Sequence, residues 1–253
     1  MALYAPEKIK ENFVELQQRI AEACQRVGRD PAEVRLIPVT KEFSPAVVEL
    51  AYEAGYKQVG ENKVQELVDK HESLKQDGAY EDLDFILIGH LQSNKARFMT
   101  EHVAEFHALD SLRLAARLDR FMEEAGRVLP VYVQVNTSKE DSKYGVSASE
   151  AIDFIDECAQ FKHLRVVGLM TLAINSKDED EVRHCFRTLK TLRDQAQLKY
   201  PEVTRLSMGM SGDFEIAIEE GATDIRIGQM IFGPRDIPNE LAHFWPENTP
   251  HSN

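Results

Sequence analysis

Val34-Arg35-Leu36-Ile37-Pro38-Val39-Thr40-Lys41 is an apolar run of strand length that ends in a lysine. Such a run, bounded by turn residues, predicts a buried strand. A charge at the end of a buried strand needs a reason, because desolvation penalises the charged form. Upstream, Ile9, Phe13, Leu16, Ile20, Ala23 and Val27 recur at spacings of three and four and predict one amphipathic helix over Pro6 to Val27. Gly28 and Pro31 end it. Downstream, Ser44-Pro45 predicts an N-cap followed by proline at the first helical position, and the helix continues to Gly55.

The alternation then repeats along the chain. Strands are predicted at Tyr56 to Gly60, Asp84 to His90, Phe106 to Leu109, Leu129 to Val135, Val166 to Leu172, Arg205 to Met208 and Asp224 to Ile227. Helices are predicted at Asn62 to Lys75, Asn94 to Glu101, Leu112 to Ala125, Ala148 to Gln160, Glu179 to Lys199 and about Gly212 to Glu220. The acidic run from Lys177 to Glu181 reads as a helix start with favourable dipole placement. Strands alternating with helices imply a parallel sheet. Eight such units predict an α/β fold closed as a single-domain (β/α)8 TIM barrel with an extra N-terminal helix over residues 1–30. An open doubly wound sheet is the alternative, but no Gly-x-Gly-x-x-Gly turn follows the first strand. Residues 1–253 are expected to form one domain, with 238–253 as a peripheral tail.

Composition excludes several function classes. The chain has 253 residues, 43% of them hydrophobic, and can bury a sizeable core. A net charge of -13 argues against nucleic acid or an anionic membrane as the main partner, so any anion site must be local. No apolar run approaches the roughly 18 residues of a membrane span, and Met1 to Lys10 lacks signal-peptide grammar, which predicts a soluble cytoplasmic protein. Cys24, Cys158 and Cys185 are odd in number and widely spaced, so reduced buried thiols are expected, with no metal site.

Active sites of such barrels lie at the C-terminal ends of the strands. There the chain places Lys41, then Glu61-Asn62-Lys63, Gly89-His90-Leu91-Gln92, Asp110, Asn136, Met170-Thr171, Gly209 to Gly212, and Gly228-Gln229. Ser207-Met208-Gly209-Met210-Ser211-Gly212 carries glycines for close backbone approach and hydroxyls for hydrogen bonds, with a helix behind. It is either an ordinary turn with a helix cap or one half of a phosphate site, and its place after strand seven favours phosphate. Arg226-Ile227-Gly228 is the facing half, and Asp213 is expected to point away from any anion. Lys41 is either a strand-end lysine reaching solvent or a desolvated amine able to form a Schiff base. Pyridoxal 5'-phosphate (PLP) fits both ends, with its aldehyde on Lys41 and its phosphate at Ser211 and the amides near Gly228. Arg226 would then face the pyridine nitrogen as a permanent cation, which keeps that nitrogen unprotonated and weakens the ring as an electron sink. His90 could flank the ring or sit satisfied in its loop, and Lys63 and Lys95 would set a positive field at the mouth.

These residues resemble the single-domain PLP homeostasis proteins of the YggS/PROSC family. Val39-Thr40-Lys41 looks like its Schiff-base lysine motif. Gly60-Glu61-Asn62-Lys63-Val64-Gln65-Glu66 and Gly89-His90-Leu91-Gln92-Ser93-Asn94-Lys95 are similar to its next two signatures. Leu206 to Phe214 and Arg226 to Arg235 look like its phosphate and ring-nitrogen segments. The resemblance implies the barrel domain of alanine racemase, PLP fold type III, without the second β domain, for which this chain ends too soon. It implies cofactor contacts from Lys41, Asn62, Ser207, Ser211, Arg226, Gly228 and Gln229, no catalytic residue, and a role in vitamin B6 and amino-acid homeostasis. Gln229 stands where the family carries threonine or serine, and Lys139 where it often has a small residue; Lys143 matches a frequent family lysine. The expected function is an intracellular, monomeric PLP carrier with PLP-dependent apoenzymes as acceptors. A racemase-like PLP enzyme acting on amino acids is the alternative. A lysine Schiff-base enzyme of phosphorylated sugars is a looser third.

Overall fold

The structure is a computed structural model that describes residues 4–75, 80–138 and 144–234. Lys139, Lys143, Arg235 and the tail from Pro238 lie outside the described residues. The chain opens with α1 (Pro6–Arg26), whose stripe of Ile9, Phe13, Leu16, Ile20 and Ala23 is buried. Then follow β1 (Arg35–Pro38), α2 (Pro45–Glu53), β2 (Gln58–Glu61), α3 (Val64–Lys75), β3 (Asp84–Leu87) and, after a 3-10 turn over Ser93–Phe98, α4 (Met99–His102). Next come β4 (Glu105–Leu109), α5 (Leu112–Glu124), β5 (Leu129–Asn136), β6 (Val146–Ser147), α6 (Ala151–Cys158) and β7 (Leu164–Met170). The described chain ends with α7 (Glu179–Gln197), β8 (Arg205–Ser207), α8 (Phe214–Glu219), β9 (Asp224–Ile227) and α9 (Gln229–Phe232).

Strand order is β1-β9-β8-β7-β5-β4-β3-β2, with β6 off the path beside β5. The ends of that order meet through a parallel bridge between Val39 and Gly60 and a Thr40 N–H bond to the Gly60 carbonyl, 3.0 Å. The sheet therefore closes as the eight-stranded parallel barrel that the alternation predicts. Leu36, Val59, Phe85, Phe106 and Leu129 pack outward against the helices, and burying each such side chain contributes roughly 1.5–3 kcal/mol. The first turn of α7 holds Glu179, Asp180 and Glu181 behind an Asp178 cap. Ser44 does occupy the N-cap of α2, but its side chain makes no capping bond, so Pro45 alone marks that start.

Three elements escape the sequence pattern. β6 is two residues long, too short to show alternation, and pairs with Val135 and Asn136. Gly145, at φ +119°, lets it approach: a Cβ there would lie 2.8 Å from the Asn136 nitrogen. α9 is one turn directly after β9, and the predicted helix over Asn94 to Glu101 is split into the 3-10 turn and α4. All three cysteines are free and buried, and burial pushes the Cys158 thiol up to about 12.

The lower half of the barrel interior is polar. Arg35 binds both oxygens of Glu105, at 2.7 and 2.8 Å, and one of Asp224. Arg205 also binds Asp224, at 2.6 Å. Burial alone would raise both carboxyls, but Arg35 and His107 hold Glu105, and Arg35 and Arg205 hold Asp224, well below the usual carboxylate range.

Candidate functional site

At the upper end of the barrel, β1 and β9 lie side by side, with Pro38 opposite Ile227 and the Val39 amide bonded to the Ile227 carbonyl at 2.8 Å. This register brings the segment carrying half-buried Lys41 beside Gly228. The fit is tight: a Cβ on Gly228 would sit 2.9 Å from the Val39 carbonyl oxygen. On the other side of β9, Gly209 adopts φ +98° and packs against α8, where a Cβ would meet Ala217 at 2.7 Å. Glycine at both positions is thus set by backbone geometry.

Between these strands the backbone offers donors. Among the described residues, no hydrogen bond takes up the amides of Ser211, Gly212, Gly228 or Gln229. Adjacent amides at strand-to-helix turns form an anion-binding concavity. Asp213 turns back and accepts from the Met210 amide at 2.6 Å, as expected of a carboxylate kept away from an anion. α8 begins at Phe214, two residues later than the sequence suggests.

Arg226 is only 4% exposed and belongs to the same wall. Its Nη1 donates to Ser207 Oγ at 2.7 Å and its Nη2 to the Thr171 carbonyl at 3.0 Å. Ser207 is fully buried, and its hydroxyl also contacts His107 Nδ1 at 2.9 Å, while His107 Nε2 lies 3.0 Å from Glu105. The proton positions follow from chemistry. Burial lowers the His107 pKa despite the pull of Glu105, so the ring is neutral, and the ionised Glu105 can only accept. His107 therefore carries its hydrogen on Nε2, and Ser207 donates to Nδ1 while accepting from Arg226. The predicted contact residue Ser207 is thus committed to fixing Arg226 from below.

The other named residues fall as follows. Asn62 is exposed at the mouth and packs on Gly89, where a Cβ would lie 2.4 Å from its Oδ1. His90 stacks on Tyr144 at 4.2 Å and places Nδ1 3.8 Å from Asp110. Lys95 lies over the Phe98 ring at 5.5 Å, whereas Lys63 is exposed. Sequence reasoning missed His107 and Lys70. Alternation along β4 puts Glu105 and His107 on one face, and Glu66 stands four residues before Lys70 on α3. Those spacings were the available signals.

Comparisons with known proteins identify the family and the fold. Residues 8–236 match the family model of the alanine racemase N-terminal domain. The pyridoxal phosphate homeostasis protein of Aquifex aeolicus is 37% identical over 226 residues, covering 89% of this chain and 97% of the relative. The chain belongs to the pyridoxal phosphate homeostasis protein family. Its Escherichia coli K12 member is likewise 37% identical, over 230 residues, 90% of this chain and 97% of that one. PipY of Synechococcus elongatus PCC7942, solved with PLP bound, superposes with a TM-score of 0.77 at 34% identity, over 89% of this chain and 100% of PipY. Alanine racemase of Clostridium difficile 630, at 12% identity and a TM-score of 0.72, shares the fold over 92% of this chain and 58% of its own. No helix among the described residues is long and apolar enough to cross a membrane.

Proposed function

We propose that this chain binds PLP as a Schiff base on Lys41 and serves PLP homeostasis as a non-catalytic carrier, acting as one barrel unit. The observation that supports the reading is the β1–β9 register, which brings the segment carrying Lys41 beside Gly228, one of four amides, at residues 211, 212, 228 and 229, that no hydrogen bond among the described residues takes up. PLP supplies an aldehyde for a lysine amine and a ring that withdraws electrons. The chain supplies the rest. Lys41 gives the amine, and its condensation with the aldehyde releases one water. Ser211, Gly212, Gly228 and Gln229 hold the phosphate through amides, so Gln229 serves by its backbone where the family has a hydroxyl. Arg226, fixed by Ser207 and Thr171, keeps a cation at the ring nitrogen and so restrains carbanion chemistry. Asn62 lines the mouth.

Acceptors of the cofactor are PLP-dependent apoenzymes, and the protein works as a cytoplasmic monomer. The test is direct. Purified protein loaded with PLP should absorb near the visible edge, and borohydride should fix the label on Lys41; a Lys41→Ala protein that keeps the same covalent adduct would refute the assignment. Turnover of any D- or L-amino acid above background would overturn the carrier role in favour of a racemase-like enzyme.

A further inference from the structure

Lys70 on α3 is 3% exposed, and an ammonium so buried must be fully partnered. Its three donors go to three oxygens, each at 2.7 Å: the Thr40 carbonyl, Glu61 Oε1 and Glu66 Oε1. Glu61 is itself completely buried and also accepts from the Thr40 hydroxyl at 2.5 Å. Glu66 Oε1 in turn accepts from the Glu42 amide. The Thr40 carbonyl belongs to the peptide group before Lys41, and the Glu42 amide to the one after it. Both peptide planes that flank the Lys41 Cα are therefore held by charged side chains of α3.

The turn needs holding. Glu42 adopts φ +66°, the left-handed region, which among non-glycine residues is costly and persists where surrounding bonds over-determine it. We propose that Lys70, together with Glu66 and Glu61, is a positioning clamp that aims the Lys41 side chain, an inference that rests on the PLP reading above. The clamp acts through the backbone on either side of Lys41. Its energetic basis is that hydrogen bonds to charged groups are about twice as strong as neutral ones.

Glu66 is the testable member, because its side chain is 22% exposed and Lys70 keeps Glu61 and the Thr40 carbonyl as partners when it is truncated. Glu66→Gln keeps an oxygen at the Oε1 position, whereas Glu66→Ala removes it. Two measurements apply to both variants and the unaltered protein: hydrogen exchange of the Glu42 amide without cofactor, and the rate of borohydride-trapped PLP labelling of Lys41. Expected for Glu66→Ala is about a tenfold loss of Glu42 amide protection and of labelling rate, the effect of losing the charge-assisted bond to the Glu42 amide, with Glu66→Gln, whose neutral oxygen makes a bond about half as strong, losing only about threefold. Unchanged exchange and labelling in Glu66→Ala would overturn the clamp, as would equal losses in both variants. An unaltered protein that takes no label on Lys41 would instead refute the PLP reading, while the Glu42 exchange would still decide whether the turn is clamped.

Discussion

At the scale of single residues, the upper barrel depends on groups whose partners are as buried as they are. Glu61 shows this most sharply. Burial, offset only in part by Lys70, pushes its carboxyl up to about 7, and its Oε2 has no hydrogen-bond partner among the described residues. A carboxyl raised on folding binds more protons in the native state, so its contribution is complete below the unfolded pKa and is lost as pH rises through about 7. Urea unfolding should therefore show the parent losing stability relative to Glu61→Gln between pH 4 and pH 8, values that bracket the shift. A constant difference across that range would refute the account. Ser207→Ala should leave Arg226 and His107 each short of a buried partner, lowering unfolding stability by about 1–3 kcal/mol and weakening PLP retention. Lys41 and Arg226 were legible in the sequence because a charge at a strand end stands out. The role of Ser207 was not, since a serine before a glycine turn looks the same whether it faces a ligand or an arginine beneath it.

At the scale of elements, the alternation of strand and helix was readable because each unit buries its own apolar stripe, so periodicity records the fold directly. What it could not record were the pieces without a stripe: β6 and α9. α9 is held from outside, by the Asn12 side chain donating to the Ile231 carbonyl at 2.9 Å and by the Tyr4 amide bonding to the Phe232 carbonyl at 3.0 Å. The N-terminal helix thus supports the turn that follows Gly228. Asn12→Leu should leave that buried carbonyl unsatisfied, costing about 1–3 kcal/mol, and should weaken phosphate capture while Lys41 stays reactive toward pyridoxal, which lacks the phosphate. Fluorescence-monitored unfolding and a comparison of PLP with pyridoxal labelling would measure both effects. Gly228→Ala should act more severely, because the obstructing atom is a backbone oxygen that has no side-chain freedom to yield.

At the scale of the whole molecule, the proposed PLP site joins the first strand of the barrel to its last two. PLP should therefore stabilise the folded state by mass action, by about 2.7 kcal/mol at a hundred times Kd, raising Tm by roughly 2–4 °C per kcal/mol for a chain of this size. Lys41→Ala should keep part of that shift through the phosphate cradle, and a melting curve that ignores PLP in both proteins would count against two-point binding. The adjacency of β1 and β9 also sets an order of events during synthesis. Lys41 leaves the ribosome early, whereas Arg226 and Gly228 come only with β9, after six further barrel strands have been made. A nascent chain carries the reactive amine but lacks the cradle, so a free aldehyde meeting it has nothing to retain it. With the proposed site, capture of the cofactor would report that the last strand has docked, and loading would mark a completed barrel.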